Sequence, residues 1–135
     1  MTSVLVDSNV LLDIATEDAE WCAWSTARLA DVLSAGDAMV INPIIYAELS
    51  AGYATAEALD AILLDMDVRR EDLPWSAAFA AGRAFVSYRR RGGAKTSPLP
   101  DFFIGAHAQA AGHRLLTRDA ARYRTYFPEV ELIAP

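Results

Sequence analysis

Four acidic residues stand where a chain tends to place chemistry. Asp7 follows the short apolar run Ser3-Val4-Leu5-Val6, and Glu48 lies inside Asn42-Pro43-Ile44-Ile45-Tyr46-Ala47-Glu48-Leu49-Ser50. Asp101 follows Pro100, and Asp119 follows Leu115-Leu116-Thr117-Arg118. Glu48 sits one turn beyond Ile44, on nearly the same helix face, near a helix end whose dipole disfavours an anion. No base adjoins Asp7, Glu48 or Asp101 in sequence, and only Arg118 adjoins Asp119. Taken singly, each acid also reads as a turn, cap or rim residue, a cap being worth ~1 kcal/mol. Taken together they read differently. Carboxylates gathered within a few ångströms raise one another's pKa, and a divalent cation removes the conflict. An all-oxygen ligand set points to Mg²⁺ or Mn²⁺ rather than zinc. Such an ion polarises a phosphodiester and lowers the pKa of the attacking water, so that no nucleophilic side chain is required.

The elements that must position these acids alternate between strand and helix. Ser3 to Val6 and Ala38 to Ile41 read as buried strands of a parallel sheet. Asp7-Ser8-Asn9 offers cap side chains to a helix through Ile14, and a longer helix runs from Glu20 to Ser34, ended by Gly36. Asn42-Pro43 opens a helix in cap-then-proline order, closed by Gly52. Ala56 to Leu64 is helical and Val68-Arg69 a short strand. Trp75 to Arg90 is a long helix, and Phe102 to Ala111 another that stops at Gly112. Arg114 to Thr117 and Val130 to Ile133 are the last strands. The pattern is an α/β domain around a parallel sheet, one domain over residues 1–135. The Gly- and Pro-containing segment Arg91 to Pro100 reads as a mobile loop. In such sheets ligands bind beyond the carboxyl ends of the strands, which is where Asp7 and Asp119 fall and where Glu48 and Asp101 can reach.

The net charge of −6 seems unsuited to a nucleic-acid enzyme, but it is unevenly spread. Residues 1–72 carry 14 acids and 3 bases, whereas residues 73–135 carry 9 bases and 4 acids. Between Leu73 and Pro100 there is no acid, while Arg83, Arg89, Arg90, Arg91 and Lys95 all fall there. An acidic half beside a basic strip can hold cations in one place and phosphates next to them. Arg89 to Arg91, with Tyr88, are candidate RNA contacts or a solvated helix end, and Arg118 either pairs with a carboxylate or touches substrate. His107 and His113 read as packing or surface residues, because His107 is almost two turns past Asp101. Trp21 and Trp24 belong to a core or to a partner groove, and Cys22 to the buried small residues. One cysteine excludes an internal disulfide and fits a reducing compartment. No apolar run approaches the ~20 residues of a membrane span, and Met1-Thr2-Ser3-Val4 lacks the start of a signal peptide, so the expectation is a cytoplasmic protein.

Two other acid-bearing α/β designs fit less well. A haloacid-dehalogenase-type phosphatase needs a second acid two residues after the first, where this chain has Asn9. A phospho-receiver domain needs a strand-end lysine, and the single lysine, Lys95, lies in the loop. Instead, Val4-Leu5-Val6-Asp7-Ser8-Asn9-Val10-Leu11-Leu12, Tyr46-Ala47-Glu48-Leu49, Pro100-Asp101-Phe102-Phe103-Ile104-Gly105-Ala106-His107-Ala108 and Leu115-Leu116-Thr117-Arg118-Asp119 resemble the successive motifs of PIN-domain nucleases, above all the VapC-type toxins of bacterial toxin–antitoxin pairs. The resemblance covers essentially the whole chain. It implies a PIN-like (Rossmann-like) three-layer α/β/α fold with a mostly parallel sheet of four to five strands. It implies a metal-dependent endoribonuclease with Asp7, Glu48, Asp101 and Asp119 as the Mg²⁺ or Mn²⁺ acids and Asn9 and Thr117 as the supporting polar residues. A homodimer and an inhibitory antitoxin chain are implied with it. The non-enzyme alternative is a PIN-like module that binds RNA or protein with little activity.

Overall fold

The computed structural model describes residues 3–135; Met1 and Thr2, the start of the N-terminus read above, lie outside the described residues. The chain runs β1 (Ser3–Val6), α1 (Ser8–Ala15), α2 (Cys22–Ser34), β2 (Ala38–Ile41), α3 (Pro43–Ser50), α4 (Ala56–Asp65) and β3 (Val68–Arg70). It continues through α5 (Trp75–Arg90), α6 (Pro100–Ala111), β4 (Arg114–Leu116), α7 (Ala121–Tyr126) and β5 (Leu132–Ile133). The five strands form one sheet in the order β3-β2-β1-β4-β5, and every pairing is parallel. With helices between the strands this is the three-layer α/β/α arrangement expected, at the upper end of the strand count.

Burial explains why the strands read as unbroken apolar runs. Val4, Leu5, Val6, Ile41, Leu115 and Leu116 are fully buried, as central parallel strands covered on both faces must be. Helix α3 begins as its sequence requires: Asn42 Oδ1 accepts the Ile45 N–H at 2.9 Å, and Pro43 occupies the first turn. Helix α2 starts at Cys22, two residues later than the sequence suggests. The Asp18 carboxylate captures the N–H groups of Glu20 and Trp21 in a turn that holds them outside the helix. Helix α6 ends at Gly112, whose φ of 71° is left-handed and free of strain only for glycine. Gly105, in mid-helix, is a close approach: a Cβ there would meet the Phe127 ring at 2.3 Å, so glycine lets Phe127 pack on α6. The base of the loop between α5 and α6 is tied back, with Arg89 Nη1 donating to the carbonyls of Gly93 and Lys95 at 3.1 and 2.9 Å.

The chain moves outward from β1 to β2 and β3, then returns to the other side of β1 for β4 and β5. The reversal of direction lies between β1 and β4, and it opens a crevice at their carboxyl ends.

Candidate active site

Asp7 lies at that reversal. Its N–H donates to Leu116 O at 2.9 Å, locking the end of β1 to the end of β4. It occupies the N-cap position of α1, yet its side chain makes no cap bond. The carboxylate turns inward, 4% exposed, and Oδ2 accepts from Tyr123 Oη at 2.8 Å and Thr117 Oγ1 at 2.9 Å. Asn9 Nδ2 lies 3.4 Å from the same oxygen and donates to Thr117 Oγ1 at 3.2 Å. Among the described residues nothing donates to Oδ1, which leaves one lone-pair-bearing oxygen free. Burial pushes the Asp7 pKa up to about 6, the negative charges of Asp101 and Glu48 add to the rise, and the bonds from Tyr123 and Thr117 oppose it.

The other three acids reach this point from separate elements. Asp101 is in the first turn of α6, where Leu99 is the cap position; its Oδ2 accepts from Arg122 Nη1 at 3.2 Å, and its Oδ1 is 3.4 Å from the Tyr123 hydroxyl. Burial raises the Asp101 pKa and the Asp119 charge adds to it, against the pull of the Arg122 guanidinium. Glu48 Oε1 accepts from Ser8 Oγ at 2.9 Å; burial raises its pKa, the Ser8 bond opposes that, and the Asp101 charge adds to it. Asp119 is exposed, and its N–H donates to Thr117 Oγ1 at 3.1 Å. It lines a hollow of about 340 Å³ together with Tyr88, Asp101, Arg122 and Tyr126. The structure thus brings Asp7, Glu48 and Asp101 within reach of one another's charge, sets the exposed Asp119 beside Asp101, and joins Asp7 to Asp101 through a phenol.

Three residues at this edge escaped the sequence reading. Tyr123 is 1% exposed; burial and the Asp7 and Asp101 carboxylates drive its pKa far upward, so it stays a donor. Arg122 and Tyr123 follow Asp119 by three and four residues, a spacing that could have flagged them as its neighbours on α7. Ser8 is next to Asp7, and only the fold reveals that it serves Glu48. Asn9 and Thr117 are both at the acid edge, bonded to Asp7.

The candidate RNA contacts separate. Arg89, Arg90 and Arg91 are exposed, though Arg89 spends one nitrogen on its own loop and Arg91 lies 5.2 Å over the Tyr126 ring. Arg118 takes the carboxylate option: Nε donates at 2.8 Å to Asp13, a buried acid that also accepts from Ser25 Oγ at 3.0 Å.

A second group of ligand-type side chains lies away from the quartet. Glu71, His107 and His113 have ligand atoms within 4.8 Å of one another, and both imidazole Nε2 atoms are 2.7 Å from Glu71 Oε1. The cap bond from Ile45 fixes Asn42 Oδ1, so Asn42 Nδ2 is the atom facing His107 Nδ1 at 3.1 Å. A donor there requires Nδ1 to be unprotonated, which places the His107 proton on Nε2, toward Glu71. Metal-ligating histidines have the opposite arrangement, an acceptor opposite the second nitrogen. The trio is a hydrogen-bonded group of two histidines around the partly exposed Glu71 carboxylate. The quartet fits a hard cation better: its donors are all carboxylate oxygens, one of them free and held beside like charges.

The PIN domain family profile matches residues 4–128. Solved structures of similar fold include VapBC2 from Rickettsia felis bound to a DNA fragment from its promoter, at a TM-score of 0.74 and 18% identity over 99% of both chains. DNA-bound VapBC from Salmonella typhimurium follows at 0.71 and 20%, covering 99% of this chain and 98% of that one. VapC20 from Mycobacterium tuberculosis, described as a sarcin-ricin loop cleaving toxin, superposes at 0.62 with 18% identity over 96% and 99%. No curated protein sequence matches at a significant level. The family profile spans the acid edge from β1 to α7, and on that ground the chain belongs to the PIN domain family.

Proposed function

We propose that this chain is a metal-dependent endoribonuclease, a single PIN domain over residues 1–135 acting as the toxin of a type II toxin–antitoxin pair. The observation that carries the reading is the acid edge itself. Asp7, Glu48 and Asp101 act on one another's charge at the β1–β4 reversal with Asp119 beside Asp101, and Asp7 is buried, its pKa raised to about 6 and one oxygen without a donor among the described residues. Asp7 and Asp101 are the direct ligands of Mg²⁺ or Mn²⁺ in this reading, with Glu48 and Asp119 acting through water or on a second ion. When bound, the ion supplies charge neutralisation at the phosphodiester and a water of lowered pKa. Tyr123 and Thr117 hold Asp7 in one rotamer, Ser8 aims Glu48, and Arg122 opposes the rise in the Asp101 pKa while presenting a cation to the phosphate. An antitoxin partner is supported by the complexes whose toxin chains share this fold. A homodimer and a cytoplasmic setting belong to the same proposal. Among the described residues no helix is long and apolar enough to cross a membrane.

Purified protein incubated with total RNA in Mg²⁺ or Mn²⁺, with and without chelator and beside Asp7→Asn, tests the reading. Discrete fragments are expected only from metal-loaded wild type, with at least a ~100-fold loss in the variant. Equal behaviour of wild type and variant, at protein in excess over RNA, would turn the assignment toward a binding module.

A further inference from the structure

The hollow at the acids has a neighbour. It shares Thr125 and Tyr126 with a larger groove of about 540 Å³ between α5 and α7, whose walls include Phe79, Arg83, Arg91 and Phe127. The two adjoin at Thr125 and Tyr126, beside Asp101 and Asp119. The charged residues of the larger groove are both arginines, and no acid lines it. Each guanidinium lies over an aromatic ring, Arg83 at 5.0 Å from the Phe79 centroid and Arg91 at 5.2 Å from that of Tyr126. Phe79 is 63% exposed, and Trp75, one turn earlier on the same helix, is 92% exposed. Arginines without a carboxylate partner, alternating with open rings, suit a single nucleic-acid strand: phosphates meet the cations and unstacked bases meet the ring faces. A duplex keeps its base faces stacked and would leave the rings without a contact. An anionic substrate approaching four carboxylates also needs attraction beside them, which this groove provides.

We propose that the α5–α7 groove seats the single-stranded flank of an RNA substrate beside the scissile phosphate. Arg83 and Arg91 take phosphates, and Phe79 and Trp75 serve as base platforms. The proposal rests on the reading of the acid edge as an RNA-cutting centre. Fluorescence anisotropy with a short, unstructured, labelled RNA, titrated across a salt series, tests it on the Asp7→Asn background. The double variant Arg83→Gln/Arg91→Gln is expected to bind ~10-fold more weakly, with a salt slope shallower by about 1.4, near 0.7 for each lost phosphate contact. Phe79→Ala should weaken binding several-fold and leave the slope unchanged. In the cleavage assay, with Asp7 restored, kcat/KM should fall in step with affinity. These are exposed positions, and an unchanged unfolding temperature confirms an intact fold. Unaltered affinity and slope would overturn the proposal. So would a change in sedimentation without a change in RNA binding, which would mark the face as a protein interface. RNA held by the parent and released by the arginine variants, with no cleavage by any protein, would keep the groove and reject the nuclease. Undiminished cleavage by the variants would reject the groove and keep the nuclease.

Discussion

Asp7 carries an energetic cost in the metal-free protein, and its sign can be worked out. Its carboxyl titrates at about 6 in the folded chain against a model value of 3.8. Between those values the folded state binds more protons than the unfolded one, so stability from this group falls as pH rises from about 4 and is lost above about 6. The cost at neutral pH is on the order of 3 kcal/mol. Thermal melts of metal-free protein should therefore show Asp7→Asn unfolding at a higher temperature than wild type at pH 7, with the difference closing toward pH 4. Divalent metal should stabilise wild type at pH 7 and leave the variant unmoved; a variant that melts lower than wild type in chelator would refute the account. Sequence position put the four acids forward as candidates without showing how they are held. All four positions were legible from their places at element ends, but Asp7 turned out to satisfy a phenol instead of capping α1. Nothing local distinguishes those two rotamers, because the partner is 116 residues away.

At the scale of elements, helix α5 follows its sequence pattern from Trp75 to Arg90, since an Ala-rich buried stripe of Ala77, Ala81 and Ala84 has helical spacing. The expected strand from Val130 shortens to Leu132–Ile133 because β5 lies at the sheet edge and pairs only with β4. Helix α3 exposes a link that spacing could not reveal: Asn42 caps it and simultaneously donates to His107 on α6. Two helices that carry proposed site acids, Glu48 and Asp101, thus share one amide. Asn42→Ala should lose the cap and strand the His107 nitrogen, costing about 2 kcal/mol and lowering the unfolding temperature by roughly 5 °C. Long-range ¹H–¹⁵N spectra of wild type should show His107 protonated at Nε2 and bare at Nδ1. The reverse tautomer would mean that Asn42 is turned around and that the Glu71 trio is open to metal after all.

At the scale of the whole molecule, the alternation of strands and helices announced the architecture, and the four motifs in order announced the family. Strand order was not legible: placing β1 between β2 and β4 is a consequence of long-range packing, and that placement creates the edge. The acids themselves are complete at residue 119, yet Asp7 is fixed by Tyr123 and Asp101 is paired by Arg122, both later in the chain. A chain stopped after Asp119 keeps every proposed ligand but lacks α7 and β5. It should show neither a cooperative thermal transition nor a Mn²⁺-induced shift, measured by circular dichroism against the full chain. A truncated protein that still responds to Mn²⁺ would show that the acids organise themselves.

The pairing of the first strand with the fourth has a bearing on synthesis. Val4, Leu5 and Val6 must wait for Arg114, Leu115 and Leu116 before the crevice exists, and Asp7 must wait longer for Tyr123. A ribosome releases a chain from its N-terminal side first, so Asp7 emerges 116 residues ahead of Tyr123. No copy can assemble the proposed centre before Tyr123 has left the RNA-rich machine that is making it. The order of strands acts as a built-in delay, holding the proposed chemistry back until the segment from β4 to α7 has been made and folded.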